Sequence, residues 1–191
     1  MRATSTGQSA LLLLDVIDAL DARRIPYAII GAFAASFYGA IRASLDADAL
    51  IALQPGQPDI NTLTTALGNA GLKCTYRVGE RHDPIGGVIC AEDAFDNRVD
   101  LLMKIHGMTD AVFSRTVEAE FMNTRVRLVG LEDLIAMKVF AGSPKDLNDV
   151  AGMLSVSSER IRLPLLKELV QPYGADVVRK LEVLLRAHPP Q

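Results

Sequence analysis

The sequence predicts an α+β fold: a mixed sheet flanked by helices and followed by a small C-terminal helical bundle. Two observations support this prediction. Candidate strands and helices are interspersed up to Gly130, whereas every later segment has a helical pattern. The chain has 191 residues, of which 49% are hydrophobic, and this suffices for one self-contained core. We therefore expect an α/β core over residues 1–130, with residues 131–191 forming a helical region packed on it.

The first quarter of the chain predicts helix, strand, helix and strand. The first helix has apolar residues at helical spacing, namely Leu12, Val16, Ile17 and Leu20. The short apolar run 27–30 ends at Gly31 and predicts a buried strand, after which the small residues of 32–38 favour a helix. Residues 43–53 have an extended, strand-like pattern. Asp46 and Asp48 should therefore lie in a strand or at its edge.

The middle of the chain predicts one helix and then mostly strands. The helix spans 58–70, with Pro58 in its first turn. The strands are expected at 73–78, 87–91, 98–105 and 124–129. The helices of the C-terminal region are expected at 131–141, 144–154, 164–170 and 175–187.

Composition excludes several classes of protein. With 20 basic and 23 acidic residues, the net charge of -3 lacks the positive potential of a non-specific nucleic-acid binder. Cys74 and Cys90 are too few for a disulfide framework and have no zinc-binding spacing, which favours the cytoplasm. The longest uncharged stretch, 25–41, is interrupted by proline and glycine and is shorter than the ~20 residues of a membrane helix. We expect no membrane contact.

The strongest signal for chemistry is Asp46-Ala47-Asp48. Residues two apart on a strand project to one face, with Cα atoms about 6.5 Å apart. Converging carboxylates repel each other unless a cation lies between them, and Mg²⁺ binds one or two carboxylates together with phosphate oxygens. Asp100, an acid in another apolar strand, could complete a site for two ions. Alternatively, the acids lie in loops and accept backbone hydrogen bonds.

A set of residues in fixed order resembles the signature of the polymerase-β-like nucleotidyltransferase superfamily. The set comprises Gly31, Ala32, Phe33, Ala34, Gly39, Arg42, Ser44, Asp46 and Asp48. In that pattern a glycine turn opens a helix, a DxD motif follows on the next strand, and Asp100 matches the third carboxylate. Segments 138–141 and 146–149 resemble the KhhA and DxxD motifs of the AbiEii/AbiGii toxin branch, where h is apolar.

The resemblance implies a nucleotidyltransferase-type sheet and a metal-dependent enzyme that moves a nucleoside monophosphate from an NTP to an acceptor hydroxyl. It implies that Asp46 and Asp48 hold Mg²⁺ or Mn²⁺. Asp100 would complete the metal site and help to activate the acceptor, and Lys138 would steady the phosphates. The acceptor would be RNA, a protein or a small molecule such as an antibiotic. The toxin branch further implies a type IV toxin with a cognate antitoxin as partner.

One departure from the family pattern supports a second hypothesis. The family usually has serine after the first glycine, where the hydroxyl helps to hold the triphosphate, and this chain has Ala32. Backbone N–H groups at Gly31 and Ala32 could still bind phosphate at the start of the helix. The alternative is a catalytically degenerate protein of the same fold that binds a nucleotide or a partner.

Functional and structural interpretations both apply to five further candidates. Arg42 contacts phosphate or is an exposed loop residue, and Ser44 either joins the nucleotide site or orients the DxD segment through a local hydrogen bond. Lys138 lies on an apolar helix face, so its ammonium reaches either a phosphate or solvent. Asp146 either joins the nucleotide site or only caps the helix, and Asp149, one turn later, is the better functional candidate of the two.

Overall fold

The computed structural model describes residues 1–53, 59–80 and 82–189. Its central feature is one seven-stranded sheet in the order β3-β4-β5-β2-β1-β7-β6. The strands are β1 (Tyr27–Ile29), β2 (Asp46–Ile51), β3 (Lys73–Val78), β4 (Ile85–Glu92), β5 (Arg98–Ile105), β6 (Val117–Phe121) and β7 (Thr124–Leu128). The helices are α1 (Ser9–Asp21), α2 (Gly31–Phe37), α3 (Ile60–Asn69), α4 (Leu131–Ala141), α5 (Pro144–Val156), α6 (Leu163–Val170) and α7 (Ala175–Ala187).

Two parallel neighbours near the middle of the sheet position the predicted acids. β2 pairs parallel with β5 and antiparallel with β1, and β1 pairs parallel with β7. The outer pairs β3–β4, β4–β5 and β6–β7 are antiparallel. Because β2 and β5 run in the same direction, their first residues meet at one edge of the sheet.

Helices cover both faces of the sheet and form two hydrophobic cores. One core packs α1 and α3 on side chains such as Ile29, Ala49 and Leu101. The other packs α2 and α4–α7 on the opposite face, where Ala28 and Leu50 lie. Alternation along β2 places Asp46 and Asp48 on the same face as Leu50. The acids therefore lie on the face of the sheet that the C-terminal helices cover, at the start of β2.

The structure confirms the predicted α+β fold with a mixed sheet and C-terminal helices. The strand Val117–Phe121 was not predicted, and β4 is longer at both ends than expected. Pro58 lies outside the described residues, and the described helix begins at Ile60, where Asp59 accepts a hydrogen bond from the Thr62 N–H. The division of the chain at residue 130 stays a prediction. None of the helices in the described ranges is both long and apolar enough to cross a membrane.

Candidate active site

The three predicted acids are brought together by the register of β2 and β5. Asp48 lies directly opposite Asp100, and Asp46 lies opposite Arg98. Residues directly opposite in a sheet project to the same face with their Cβ atoms about 5 Å apart. The predicted clustering of Asp46, Asp48 and Asp100 at one place is therefore seen in the fold. Asp46 is exposed, whereas Asp48 and Asp100 are half-buried.

The glycine turn makes room for the Asp48 side chain. Gly31 begins α2 with a left-handed φ of 65°, and a Cβ at this position would lie 2.1 Å from Oδ2 of Asp48. The Ile30 N–H donates to the Asp48 carbonyl oxygen at 3.0 Å, which fixes the turn on β2. Glycine is therefore required here both by backbone conformation and by close approach. Ala32 is buried and supplies no hydroxyl, and the phosphate-binding role of Gly31 and Ala32 stays a prediction.

The environment of Asp48 disfavours its charged form. Burial raises the pKa of the Asp48 carboxyl to about 6, and the charges of Asp100 and Asp46 act in the same direction. The positive charges of Lys138 and Arg42 oppose this rise in pKa without cancelling it. The charged form of Asp48 is therefore unfavourable in the free protein, and a bound cation would stabilise it.

Asp100 is held by an arginine on its own strand. The Arg98 guanidinium donates from Nε to Oδ1 and from Nη2 to Oδ2 of Asp100, both at 2.9 Å. The two side chains, two residues apart on β5, share one face of the sheet. Sequence reasoning placed Asp100 with the metal and did not assign it an arginine partner. Both oxygens of the third carboxylate are engaged in a bidentate ion pair.

The carboxylates fit a divalent cation that also contacts a nucleotide. No group of three or more His, Cys, Asp or Glu side chains is arranged to hold a metal by itself in residues 1–53, 59–80 and 82–189. Mg²⁺ is usually held by one or two carboxylates with substrate phosphates completing its coordination. Asp46 and Asp48 supply two carboxylates, and Gly31 leaves the space that Asp48 occupies. The role of these acids as metal ligands stays a prediction.

Lys138 makes ion pairs inside the protein. Its Nζ donates to Oδ2 of Asp149 at 2.6 Å and to Oδ1 of Asp146 at 3.0 Å. Lys138 and Asp149 are only 5% and 4% exposed. The interpretation that the ammonium reaches solvent is therefore wrong, because two acids of α5 enclose it. Two of its three N–H donors are used in these bonds, so direct contact with a phosphate would use the third and would require the phosphate to reach a nearly fully buried ammonium.

The predicted DxxD acids differ in their surroundings. Asp149 accepts from Lys138 and also from Nε of Arg42, at 3.0 and 3.1 Å to its two oxygens. Asp146 accepts from Ser143 as well as from Lys138, and its backbone N–H donates to the Ser143 hydroxyl oxygen. The predicted cap at Ser143 is therefore present. Asp149 is the centre of this ion-pair network, because it binds both Arg42 and Lys138 and holds them beside the acids of the sheet.

The loop before the DxD motif contributes one partly buried and one exposed candidate. Arg42 is partly buried and bound to Asp149, so the interpretation as a free loop arginine is wrong. Ser44 is exposed, and its hydroxyl makes no hydrogen bond within the described part of the chain. The predicted local hydrogen bond of Ser44 is therefore not formed. Both residues lie within four positions of Asp46, at the edge of the acidic site.

Sequence reasoning missed Ser9, which joins the two strands that carry the acids. The Ser9 hydroxyl donates to the Leu45 carbonyl oxygen at 2.5 Å and accepts from the Arg98 N–H at 3.1 Å. Leu45 immediately precedes β2 and Arg98 begins β5, so one buried hydroxyl fixes the starts of both strands. A lone serine among apolar helix residues was the available signal, but its partners are distant in sequence.

The residues before α1 are tied to the same edge of the sheet. The Gln8 N–H donates to Oδ1 of Asn97 at 2.6 Å, and the Asn97 amide donates to the Ser5 carbonyl oxygen at 2.8 Å. Asn97 is also bonded to Asp93 within the β4–β5 turn. The amino-terminal segment thereby packs beside the start of β5.

A mixed sheet with a glycine turn against paired aspartates is the architecture of a nucleotidyltransferase. A family model described as "Nucleotidyltransferase of unknown function (DUF6036)" matches residues 10–183. The chain therefore belongs to this family. No curated protein matches the sequence.

Solved structures confirm the fold. The antibiotic-resistance factor ANT(2'')-Ia has a TM-score of 0.57 and 16% identity, over 95% of this chain and 96% of that one. An antigenic nucleotidyltransferase-like protein from Paracoccidioides brasiliensis has a TM-score of 0.55 and 16% identity, over 97% and 92%. The lincosamide antibiotic adenylyltransferase LnuA has a TM-score of 0.51 and 11% identity, over 81% and 99%. At these identities the likeness establishes the fold alone.

Proposed function

We propose that this protein transfers a nucleoside monophosphate from an NTP to an acceptor hydroxyl and releases pyrophosphate. The observation that carries the proposal is the placement of Asp48 opposite Asp100, against the Gly31 turn. Membership of a nucleotidyltransferase family supports the same class of reaction. In the reaction, the acceptor hydroxyl gives up its proton to Asp100 or to water, and its oxygen forms a bond to the α-phosphorus. The bond from that phosphorus to the bridging oxygen breaks, and pyrophosphate leaves.

The acidic and the basic side chains have different roles in this proposal. Asp46 and Asp48 would hold Mg²⁺ or Mn²⁺, and Asp100 would complete the site and take part in activating the acceptor. A bound divalent cation neutralises the charge of the triphosphate and lowers the pKa of the attacking group. Lys138 and Arg42, both fixed by Asp149, would add positive potential beside the phosphates.

We propose a small-molecule hydroxyl as the first acceptor class to test. Two proteins of similar fold are described as an antibiotic-resistance factor and an antibiotic adenylyltransferase. RNA or protein is the acceptor expected under the AbiEii/AbiGii resemblance, which would make the protein a cytoplasmic toxin with a cognate antitoxin. That branch rests on the 138–141 and 146–149 motifs, whose charged residues bind one another in the structure.

The test is transfer of label from α-labelled NTPs to aminoglycosides, lincosamides, total RNA or protein. We expect transfer with Mg²⁺ or Mn²⁺ and its loss, by 10³-fold or so, in the Asp46→Asn/Asp48→Asn variant. The matched control is Asp176→Asn, which removes an exposed carboxylate on α7 and should leave transfer unchanged. Absence of transfer to every acceptor would count against the enzyme.

The second candidate is a nucleotide-binding module without transferase activity. Ala32 in place of serine and the engagement of Asp100 by Arg98 favour it. Calorimetry with NTP and Mg²⁺ separates the two candidates. Binding that survives while no acceptor is labelled would favour the module.

A further inference from the structure

We propose that Arg98 is a latch on Asp100, which competes with the divalent cation and makes metal binding depend on the nucleotide. This inference deepens the proposed function and rests on it. Arg98 is then a positioning residue. In the free protein its guanidinium binds the carboxylate of Asp100, and this ion pair must break when the divalent cation and the triphosphate bind together.

The latch rests on an ion pair between two residues of β5. Arg98 uses its two parallel donors, Nε and Nη2, on the two oxygens of Asp100 at equal distances of 2.9 Å. The bidentate pair leaves neither oxygen free of a cationic donor. A divalent ion approaching Asp46 and Asp48 therefore meets a third carboxylate whose charge is already compensated.

The Arg98 guanidinium and a divalent ion compete because both bind the carboxylate oxygens of Asp100. Arg98 shares its face of the sheet with four acids: Asp100 on its own strand, Asp46 and Asp48 on β2, and Glu92, which is opposite Arg98 on β4. A divalent ion bound to Asp100 beside the guanidinium would repel it, and charges about 4 Å apart interact by several kcal/mol at the effective dielectric of a protein surface. Binding of the cation to Asp100 and retention of the ion pair therefore oppose each other.

Release is feasible because Arg98 is close to solvent. Its side chain is 35% exposed, compared with 17% for Asp100, so the guanidinium can rotate away from β5 while Asp100 stays in place. The fork of donors that fits a carboxylate also fits a phosphate group. A triphosphate held near Asp46 and Asp48 supplies the replacement partner, and the nucleotide thereby strengthens metal binding.

Titration with Mn²⁺, followed by electron paramagnetic resonance of the free ion, tests the latch without measuring transfer. Without nucleotide, Arg98→Gln should bind Mn²⁺ about tenfold more tightly than the natural protein, a difference of about 1.4 kcal/mol. A non-hydrolysable NTP analogue should increase the Mn²⁺ affinity of the natural protein by a larger factor than that of Arg98→Gln. The matched control is Arg125→Gln, which removes an arginine of β7 that is 81% exposed and should change neither value.

A double-mutant cycle separates the latch from a general effect of charge. In the Asp100→Asn background the ion pair is absent, so Arg98→Gln should no longer change the Mn²⁺ affinity. An effect of equal size in that background would overturn the latch, because the arginine would then act on Asp46 and Asp48 through its charge alone. Arg98→Lys, which keeps the charge but cannot bind in a bidentate manner, should lie between the natural protein and Arg98→Gln.

Failure of the latch and failure of the proposed function give different results. Equal or weaker Mn²⁺ binding by Arg98→Gln overturns the latch. The proposed transferase function would still stand if the natural protein transfers the label and Asp46→Asn/Asp48→Asn does not. If neither the natural protein nor Arg98→Gln binds Mn²⁺, the latch is also overturned. Melting curves of each variant show whether it is folded, and Arg98→Lys provides the comparison should Arg98→Gln unfold.

Discussion

Gly31 and Asp48 approach so closely that no side chain fits between them. A Cβ on Gly31 would lie 2.1 Å from Oδ2 and 2.9 Å from the carboxyl carbon of Asp48. The turn that starts α2 is thus shaped around the carboxylate, and the carboxylate is held over the backbone of the turn. The signature glycine and the signature aspartate, 17 positions apart, form one structural unit.

Gly31→Ala should lower both stability and metal affinity. The left-handed φ of 65° costs an alanine about 1–2 kcal/mol, and the new methyl group must also displace the Asp48 carboxylate. Gly7→Ala is the matched control, since Gly7 has a φ of 75° but no atom of the described residues lies within 4 Å of its added Cβ. Chemical denaturation and Mn²⁺ titration measure the two effects. Equal losses of stability in the two variants, with unchanged Mn²⁺ binding, would contradict the prediction.

Asp48→Asn should stabilise the protein at neutral pH. The pKa of Asp48 is raised from 3.8 to about 6 on folding, so the folded state binds its proton more tightly than the unfolded state. That contribution to stability is complete below pH 4 or so and is lost as the pH rises through about 6. The variant should therefore gain roughly 2 kcal/mol near pH 8 and little near pH 4. Urea unfolding at both pH values, with Asp176→Asn as control, gives the answer, and a gain independent of pH would contradict it.

Lys138→Met should destabilise the fold. The substitution leaves Asp149 and Asp146 without their shared cation, and Asp149 is almost fully buried. Removing one partner of a buried ion pair costs about 3 kcal/mol. Lys145→Met, which removes an exposed lysine from the same helix as the two acids, should have little effect. Thermal unfolding of the two variants tests this, and equal melting temperatures would show that the network contributes no stability.

Ser9→Ala should affect both the fold and the acidic site. It removes the donor to the Leu45 carbonyl oxygen and the acceptor of the Arg98 N–H, so two backbone groups in partly buried hydrogen bonds lose a partner. Leaving a buried polar group unpaired costs about 1–3 kcal/mol, and we expect a loss near the lower end for these partly buried groups. We also expect weaker Mn²⁺ binding, since the starts of β2 and β5 are no longer joined. Ser155→Ala removes an exposed hydroxyl that is bonded to Ala151 in its own helix and lies 3.3 Å from Nδ1 of His188, far from the acids, and it should change neither quantity.

The acids of the candidate site could be predicted because their signal is local. Alternation along 46–51 and 98–105 identifies both strands and assigns each acid to a face. β6 was missed although its apolar residues alternate with Glu118 and Glu120. It is an edge strand that pairs with β7 alone among the strands of the described residues, and none of its residues is fully buried to mark its core-facing side.

The partners of the charged side chains could not be predicted, because they depend on contacts distant in sequence. Arg42 and Asp149 are 107 positions apart, and nothing near either residue indicates the other. The Arg98–Asp100 pair is local, yet the same spacing on a strand suits a metal ligand and an ion pair equally well. Sequence patterns fix the face on which a side chain lies, whereas its partner on that face follows from the assembled sheet.

The hydrogen bonds that tie Ser5, Gln8 and Ser9 to the β4–β5 turn and to the start of β5 have a practical consequence for protein production. An affinity tag or fusion partner placed ahead of these residues would disturb the hydrogen bonds at the edge of the sheet where the carboxylates lie. Purified material intended for ligand screening should therefore carry its tag after α7, and any tag ahead of α1 should be cleaved before affinities are compared.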